Sequence, residues 1–463
     1  MDRRDFLKGM AGAVAAGAVV AAGCDHPNSV PAEGVTAGEV PMGQMTYRPD
    51  AHGQQVSLLG FGMMRLPVEG GGSGRENPNA PIDQEMVNKQ VDYAIEHGVN
   101  YFDTSPVYCQ GRSETCTGIA LKRHPRDKWL IATKMSNFRN WTPEASLKMY
   151  RDSFEALQVD HIDYYLLHSF GTVDEEGRSD FEKRFVDNGM LEFLMKEREA
   201  GRIRNLGWSF HGQQSEFDKV VALHDKYHWD FAQIQMNYVD WHYAKEINPR
   251  NVEGEHLYTE LDKRGIPAVI MEPLLGGRLA TLNDHAAEQL KAREPGQSLA
   301  SWSFRFCGSF PRVMTSLSGM TLMEHLQDNL RTHSPLKPLS EEEMTLLERI
   351  ADEFAHYPAV PCTTCQYCMP CPYGLDIPGI FSHYNKCLNE GNIALEGTME
   401  QREFRRARKA FLTSYNKSIE RLRQADHCID CGECLKHCPQ GIKIPEKMHA
   451  IEIYTNQLKD SLV

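Results

Sequence analysis

The sequence predicts an α/β protein made of a (β/α)8 TIM barrel and a small, mainly helical domain after it. Two observations support this prediction. Short apolar runs alternate with amphipathic stretches between residues 56 and 319, and eight cysteines form two similar strings between residues 362 and 438. The chain has 463 residues, which is enough for a barrel of about 250 residues and for further domains.

The residues ahead of the predicted barrel resemble an export signal. Asp2-Arg3-Arg4-Asp5-Phe6-Leu7-Lys8 is followed by a mildly apolar run rich in Ala and Gly, which is too short to span a bilayer. Paired arginines before such a run are typical of the twin-arginine (Tat) route, which carries folded proteins. We therefore expect residues 1–24 to be a signal and the protein to be exported to the periplasm or cell envelope.

Residues 21–46 contain a candidate site for a lipid anchor and a predicted tether. Ala21-Ala22-Gly23-Cys24 resembles a loose lipoprotein cleavage site, so Cys24 either carries a lipid or is an incidental cysteine that is lost with the signal. A lipid there would be the one membrane attachment that the sequence suggests. Residues 25–46 are rich in Pro and Gly and have little apolar pattern, which predicts a tether.

Eight apolar runs have the length of buried strands. Helical patterns lie between them, for example Gln84–His97 and Glu253–Arg264, and Gly98 and Gly265 stand where these helices are expected to end. Alternating strand and helix signals predict a parallel sheet with crossover helices. The runs are Val56–Leu66, Asn100–Ser105, Trp129–Met135, Ile162–Phe170, Ile203–Phe210, Phe231–Tyr238, Ile266–Leu274 and Arg312–Gly319.

A closed barrel over residues 47–335 explains these runs better than an open doubly wound sheet. Eight strand–helix units match the (β/α)8 count. An open nucleotide-binding sheet normally begins with a G-x-G-x-x-G turn, and the first run, Leu59-Gly60-Phe61-Gly62-Met63-Met64, has none.

Polar residues at the predicted strand ends indicate where the barrel carries its chemistry. Such barrels place their active sites at the C-terminal ends of the strands. Asp103, Lys134 and His168 stand at the ends of the second, third and fourth predicted strands, and Tyr108 lies in the loop just after Asp103. Each of these four residue types is common on a surface or in a core. The functional signal is that all four are predicted to lie at the same rim of the barrel.

Four separated segments resemble the signatures of the aldo-keto reductase family. They are Phe102-Asp103-Thr104-Ser105-x-x-Tyr108, Gly111-Arg112-Ser113-Glu114, Ala132-Thr133-Lys134 and Leu166-Leu167-His168. The resemblance covers about residues 47–335 and implies a (β/α)8 barrel that reduces carbonyl groups with a nicotinamide cofactor. The segment from Tyr108 to Glu114 is two residues longer than the family's commoner Tyr-Gly-x-Ser-Glu.

By this resemblance Asp103, Tyr108, Lys134 and His168 form a catalytic tetrad. The chemistry of the side chains agrees. A carbonyl that receives hydride develops negative charge on its oxygen and needs a proton, a phenol ordinarily titrates near pH 10, and a neighbouring ammonium favours the phenolate. Asp103 would hold Lys134 charged and in place, and His168 would bind the substrate oxygen.

The resemblance also implies a nicotinamide site. Ser209 and Gln233 would hold the carboxamide, and Met271 occupies a position where many members stack a tyrosine on the ring. Residues of the last βα unit resemble the adenosine-phosphate region, namely Gly319, His325, Asp328 and Asn329. The basic residues that hold a 2′-phosphate in many members are missing and only His325 remains, so NAD is favoured over NADP unless other loops supply a cation.

The two cysteine strings follow the ligand pattern of bacterial ferredoxins. They read Cys362-x2-Cys365-x2-Cys368-x2-Cys371-Pro372 and Cys428-x2-Cys431-x2-Cys434-x3-Cys438-Pro439. Zinc sites usually use four ligands in two pairs, and disulfide frameworks belong to small secreted chains, so neither explains three plus one cysteines twice. The strings predict a ferredoxin-like iron–sulfur domain over residues 336–463 that holds two 4Fe-4S clusters.

The spacing of the first string does not decide which cluster Cys371 binds. In bacterial ferredoxins the fourth cysteine of each string usually serves the other string's cluster. The first string has two residues rather than three before its last cysteine, which leaves open the cluster that Cys371 serves.

Two functions remain in view. One is an exported oxidoreductase whose barrel reduces a small carbonyl or oxidises an alcohol, with clusters that connect it to a one-electron carrier. The other is an electron-transfer or ligand-binding subunit with a non-catalytic barrel. The formal net charge of −13 makes nucleic acid an unsuitable partner.

Overall fold

The computed structural model describes residues 39–74, 76–356, 359–394, 400–438 and 440–461. The predicted signal, with Cys24, and most of the predicted tether lie outside the described residues. Within the described ranges, no helix combines the length and apolar character that a membrane span needs.

A closed barrel of eight parallel strands forms the larger part of the protein, as predicted. An antiparallel pair, β1 (Tyr47–Pro49) and β2 (Gln55–Ser57), precedes it. The barrel strands are β3 (Leu59–Gly62), β4 (Tyr101–Asp103), β5 (Leu130–Met135), β6 (Ile162–Phe170), β7 (Ile203–Phe210), β8 (Phe231–Gln235), β9 (Ala268–Met271) and β10 (Val313–Ser318). The barrel closes where β10 pairs with β3.

The first predicted strand is divided in the structure. The run Val56–Leu66 supplies both β2, which pairs with β1, and β3, which enters the barrel after the buried Leu58. The run then ends early, because Met63–Arg65 form a 3-10 turn. An apolar run shows that residues are buried, and it does not show where the chain changes its pairing partner.

Eleven helices surround or follow the barrel strands among the described residues. They are α1 (Gln84–Glu96), α2 (Ser113–Leu121), α3 (Pro143–Leu157), α4 (Met190–Glu199), α5 (Gln214–Ala222), α6 (His224–Tyr227), α7 (Asp240–Ile247), α8 (Gly254–Lys263), α9 (Asp284–Arg293), α10 (Leu299–Gly308) and α11 (Met323–His333). Helix α1 begins at an Asp83 side chain that accepts a hydrogen bond from the Met86 amide. It ends before Gly98, whose φ of +93° favours glycine.

The tail contains α12 (Glu341–His356), α13 (Ile377–Asn389), α14 (Gln401–Ser418) and α15 (Ile444–Asp460). Helix α12 packs its buried Leu347 and Ile350 into the core around the barrel, whereas the separate core of the cluster-binding domain begins at Val360. The change of core therefore comes after α12, later than the predicted boundary at residue 336, because the apolar face of α12 is buried against the barrel.

Strand register brings the predicted site residues to one rim. Asp103 lies opposite Ala132, two residues before Lys134, and Lys134 lies opposite Leu166, two residues before His168. Because all eight strands are parallel, these ends share the C-terminal face of the barrel. The interior beneath them is filled by side chains such as Tyr101 and Tyr164.

Candidate functional site

A buried ion pair stands at the centre of the barrel rim. The Lys134 ammonium donates to Asp103 Oδ1 at 2.5 Å and to the Thr104 carbonyl at 2.8 Å. Lys134 has no exposed surface, and burial lowers the pKa of its ammonium while the Asp103 carboxylate opposes that shift. Burial also raises the pKa of Asp103, against the pull of Lys134. Each charge therefore depends on the other.

Tyr108 presents its ring to this ammonium. The Lys134 Nζ atom lies 4.9 Å from the centroid of the Tyr108 ring. The two extra residues after Tyr108 are accommodated by left-handed backbone at Cys109 and Gln110, with φ of 49° and 56°. Such positions are strained for residues other than glycine and are found where surrounding contacts enforce them.

The start of α2 supplies those contacts. Ser113 Oγ hydrogen-bonds Thr104 Oγ1 at 2.7 Å, and Glu114 Oε1 accepts from Thr133 Oγ1 at 2.5 Å. Both partners are neighbours of Asp103 and Lys134 in the sequence. These hydrogen bonds hold the chain directly after the two extra residues. Tyr108 therefore remains at the rim although the segment from Tyr108 to Glu114 is longer than usual.

His168 completes the group of four predicted catalytic residues. Its ring packs edge-on to Tyr108 with centroids 5.9 Å apart, and its Nδ1 atom lies 2.5 Å from Ser136 Oγ. Burial lowers the pKa of His168 well below its usual value, and the Lys134 and Arg184 cations add to this shift. The imidazole is therefore neutral at pH 7, and Nε2 is the ring nitrogen that remains for a ligand.

Sequence reasoning missed the residues that hold His168. Arg184 donates to the carbonyl oxygens of His168 and Ser169 at 2.7 Å each and lies 4.6 Å from the Phe138 ring centroid. Ser136, directly after β5, fixes the imidazole. Arg184 belongs to a π-helical turn at Glu182–Val186, and a lone arginine in a loop carries no sequence signal for such a role.

The predicted carboxamide site has suitable polar atoms. Ser209 Oγ accepts a hydrogen bond from the Ser169 amide at 2.8 Å, which leaves its hydroxyl proton available to a ligand. Gln233 Oε1 is buried and lacks a hydrogen-bond partner in the described part of the chain. A buried acceptor of this kind is satisfied by a ligand N–H, so these two residues fit a carboxamide. Met271 is half-buried at the end of β9.

The predicted adenosine-phosphate residues are mostly engaged with the protein. Asn329 Nδ2 donates to Ser318 Oγ at 2.9 Å, and Asp328 accepts from Ser298 Oγ at 2.5 Å. Burial lowers the pKa of His325, so it contributes no lasting positive charge.

Arg65 is a cation near this region that the sequence did not reveal. A Cβ atom built on Gly319 would lie 3.0 Å from Arg65 Cδ, so the arginine stem covers that glycine. The guanidinium, however, lies 3.9 Å from a Glu76 carboxylate oxygen and donates to the Thr363 carbonyl at 3.5 Å.

The eight cysteines form two groups that cross between the strings. Cys438 of the second string joins three cysteines of the first around one space, and Cys371 joins three cysteines of the second around another. The first cluster site is therefore Cys362, Cys365, Cys368 and Cys438, and the second is Cys371, Cys428, Cys431 and Cys434. This placement assigns Cys371 to the second site despite its shorter spacing.

Both cluster sites fit their expected groups. Each offers four sulfur atoms, which is the ligand set of a 4Fe-4S cluster. Apolar side chains line both spaces, with Ile377 and Ile444 shared between them. Burial raises the pKa of Cys362 and of Cys368 to about 12, so iron binding at these residues releases protons.

The first cluster site lies against the mouth of the barrel. A Cβ atom built on Gly276, after β9, would lie 2.7 Å from the Thr363 side chain. Gln366 donates to the Glu76 carbonyl, after β3, at 3.0 Å. The loop that contains Cys362 and Cys365 therefore touches the same rim that carries Lys134.

Comparisons with known proteins agree with this architecture. The model of the aldo/keto reductase family matches residues 58–352, and that of the 4Fe-4S dicluster domain matches residues 361–442. L-galactose dehydrogenase of Arabidopsis thaliana is 23% identical over 64% of this chain and 90% of its own length. Protein tas of Escherichia coli is 26% identical over 68% and 100%.

Solved structures share the fold. Aldo-keto reductase AKR11C1 from Bacillus halodurans, in its holo form, has a TM-score of 0.51 at 22% identity and covers 66% of this chain and 96% of its own. The thermostable aldo-keto reductase Tm1743 has a TM-score of 0.51 at 20% identity, with 66% and 100% covered.

The crossed arrangement of the cysteines gives a direct test. We expect Cys371→Ser to deplete the second cluster and Cys438→Ser to deplete the first, because each removes one of four ligands. Iron and sulfide analysis with electron paramagnetic resonance of anaerobically purified, reduced protein measures this. Cys387→Ser, a buried cysteine outside both sites, is the control. Loss of the first cluster in Cys371→Ser would contradict the assignment.

Proposed function

The chain belongs to the aldo/keto reductase family and carries a 4Fe-4S dicluster domain, and we propose that it is an exported iron–sulfur oxidoreductase. In this proposal the barrel reduces a small carbonyl compound or oxidises an alcohol, and electrons pass through two clusters to or from a one-electron carrier. The observation that carries the proposal is the ammonium of Lys134, held between Asp103 and the ring of Tyr108 on the rim that the first cluster site touches.

Each of the four rim residues has a role in proton transfer. Tyr108 donates a proton to the carbonyl oxygen during reduction and accepts one from the alcohol in reverse. Lys134 stabilises the phenolate that is left, and Asp103 holds the ammonium in place. Neutral His168, bound at Nδ1 by Ser136, directs Nε2 to the substrate oxygen.

Ser209, Gln233 and Met271 would hold a nicotinamide ring at this rim. The buried Gln233 oxygen, which has no hydrogen-bond partner among the described residues, suits the amide N–H of the carboxamide, and Ser209 suits its oxygen. When bound, a nicotinamide dinucleotide supplies two electrons and a hydrogen as hydride, which clusters cannot do. The Arabidopsis relative is named as a dehydrogenase of a sugar, which supports a small alcohol or carbonyl substrate.

The second candidate is an electron-transfer or ligand-binding subunit with a non-catalytic barrel. Two observations favour it. Methionine rather than an aromatic residue stands at the end of β9, and Asp328 and Asn329 are bonded to neighbouring serines. The intact group of Asp103, Tyr108, Lys134 and His168 favours an enzyme.

Replacing the proposed proton donor separates the two candidates. We expect Tyr108→Phe to lower the rate of carbonyl reduction about 10²–10⁴-fold, measured anaerobically over a panel of aldehydes and ketones with a reduced dinucleotide. Tyr227→Phe is the matched control, because Tyr227 precedes β8 at the opposite end of the barrel. Equal rates for Tyr108→Phe and the unmodified protein would support the non-catalytic barrel.

NAD is the proposed dinucleotide, because Arg65, whose stem covers Gly319, already contacts Glu76 and Thr363. We expect NADH to bind more tightly than NADPH, measured by the change in protein fluorescence on titration. Glu76→Gln, which removes the carboxylate beside Arg65, should narrow the difference. Tighter binding of NADPH by the unmodified protein would contradict this proposal.

Export rests on the sequence of residues 1–24 and is part of the proposal. We expect Arg3→Lys combined with Arg4→Lys to leave the protein in the cytoplasm, because the Tat route depends on the arginine pair. Cell fractionation with immunoblotting measures this, and Lys8→Arg serves as the control. Unchanged export of the double variant would argue against the Tat route.

A further inference from the structure

One arginine of the barrel lies beside the first cluster site. Arg278 belongs to the 3-10 segment Leu275–Ala280, which follows β9. Two residues earlier, Gly276 packs against Thr363, the neighbour of Cys362. Arg278 and Cys362 interact electrostatically, so a positive charge of the barrel acts on a ligand of the first cluster.

Arg278 is half-buried, and its guanidinium is partly withdrawn from solvent and incompletely bonded. Its Nη1 atom is buried and has no hydrogen-bond partner in the ranges that the structure describes. Its Cζ atom lies 4.6 Å from the ring centroid of Phe354, in α12. Burial lowers the pKa of Arg278 to about 10, which leaves it charged at neutral pH. A charge in such surroundings acts more strongly than one in water.

A buried carboxylate interacts electrostatically with this cation. Asp240, at the start of α7, accepts hydrogen bonds from Gln235 and Asn237 at 2.7 Å and 2.6 Å, and its Oδ1 atom is buried without a partner among the described residues. Arg278 and Asp240 interact electrostatically. The cation therefore interacts with two acidic groups, Asp240 and the Cys362 thiol.

The second cluster site has different surroundings. Cys431 is exposed there, and Ile429 and Tyr373, which line the same space, are 56% and 49% exposed. Solvent therefore screens charges around the second cluster site more strongly than around the first. The two sites thus differ in burial and in the neighbouring barrel cation.

We propose that Arg278, a residue of the barrel, raises the reduction potential of the first cluster. A cluster with four thiolates becomes more negative by one charge when it accepts an electron, so a nearby, partly buried cation stabilises its reduced form. With clusters bound, a higher potential would favour the presence of the electron at the site beside the barrel mouth, and this role rests on the proposed function.

The test measures potentials without any substrate. Anaerobic redox titration followed by electron paramagnetic resonance gives the midpoint of each cluster. We expect Arg278→Gln to lower the ratio of reduced to oxidised first cluster about tenfold at a fixed solution potential, which is 59 mV for a one-electron couple. The second cluster should keep its midpoint, and Arg278→Lys should retain most of the unmodified value.

Two further variants separate charge from structure. Asp240→Asn should raise the first midpoint at a pH where Asp240 is ionised, because it removes the carboxylate that offsets Arg278. If Arg278→Gln loses iron, the first-cluster midpoint of Asp240→Asn still tests whether the charge of Arg278 affects the potential. Arg250→Gln is the matched control, since Arg250 is exposed and acts on Cys438, and it should give a much smaller shift.

The outcomes are distinct from those of the activity test. A first-cluster midpoint that is unchanged in Arg278→Gln and in Asp240→Asn overturns the inference, whatever the carbonyl activity. Equal shifts of both clusters overturn it as well. If Tyr108→Phe leaves carbonyl reduction intact, the proposed reaction fails, while opposite shifts in Arg278→Gln and Asp240→Asn would still identify Arg278 as the residue that tunes the first cluster.

Discussion

The buried pair of Lys134 and Asp103 is the interaction on which the rest of the barrel mouth depends. Two charges removed from water are costly, and a hydrophobic pair of similar volume would often stabilise a fold as well. A pair that is kept at the C-terminal rim, 4.9 Å from the centroid of a tyrosine ring, therefore indicates chemistry rather than stability. Tyr108 and His168 are both arranged around that ammonium, and the fastening of the loop at Ser113 and Glu114 maintains the arrangement.

The cluster-binding domain depends on the crossing of its cysteine strings. Because Cys371 and Cys438 each join the other string's site, the chain segments on both sides of α14 are tied into one unit around a common core. That unit lies on the barrel through Thr363 and Gln366, which follow Cys362 and Cys365. The first site is consequently the inner one, and the second, with exposed Cys431, faces solvent.

Local patterns predicted the barrel well. The alternation of apolar runs with amphipathic stretches locates the buried strands. Because the C-terminal ends of parallel strands share one face, Asp103, Lys134 and His168 could be placed together from the sequence. The division of the first run between β2 and β3, and the attachment of α12 to the barrel core, depend on tertiary pairing that no local pattern encodes. Arg184, Ser136, Arg65 and Arg278 act across long sequence separations from turns and strand ends, where an isolated polar residue is ordinarily a surface feature.

The most direct measurement of the central claim, that barrel and clusters work as one redox unit, is reoxidation of the reduced clusters by substrate. Protein reduced anaerobically, freed of reductant and mixed with NAD and a panel of carbonyl compounds is followed by the visible absorption of its clusters. The account predicts that at least one carbonyl restores the oxidised spectrum, and that Cys438→Ser, which disrupts the inner site, prevents this. Clusters that remain reduced with every carbonyl, with and without NAD, would contradict it.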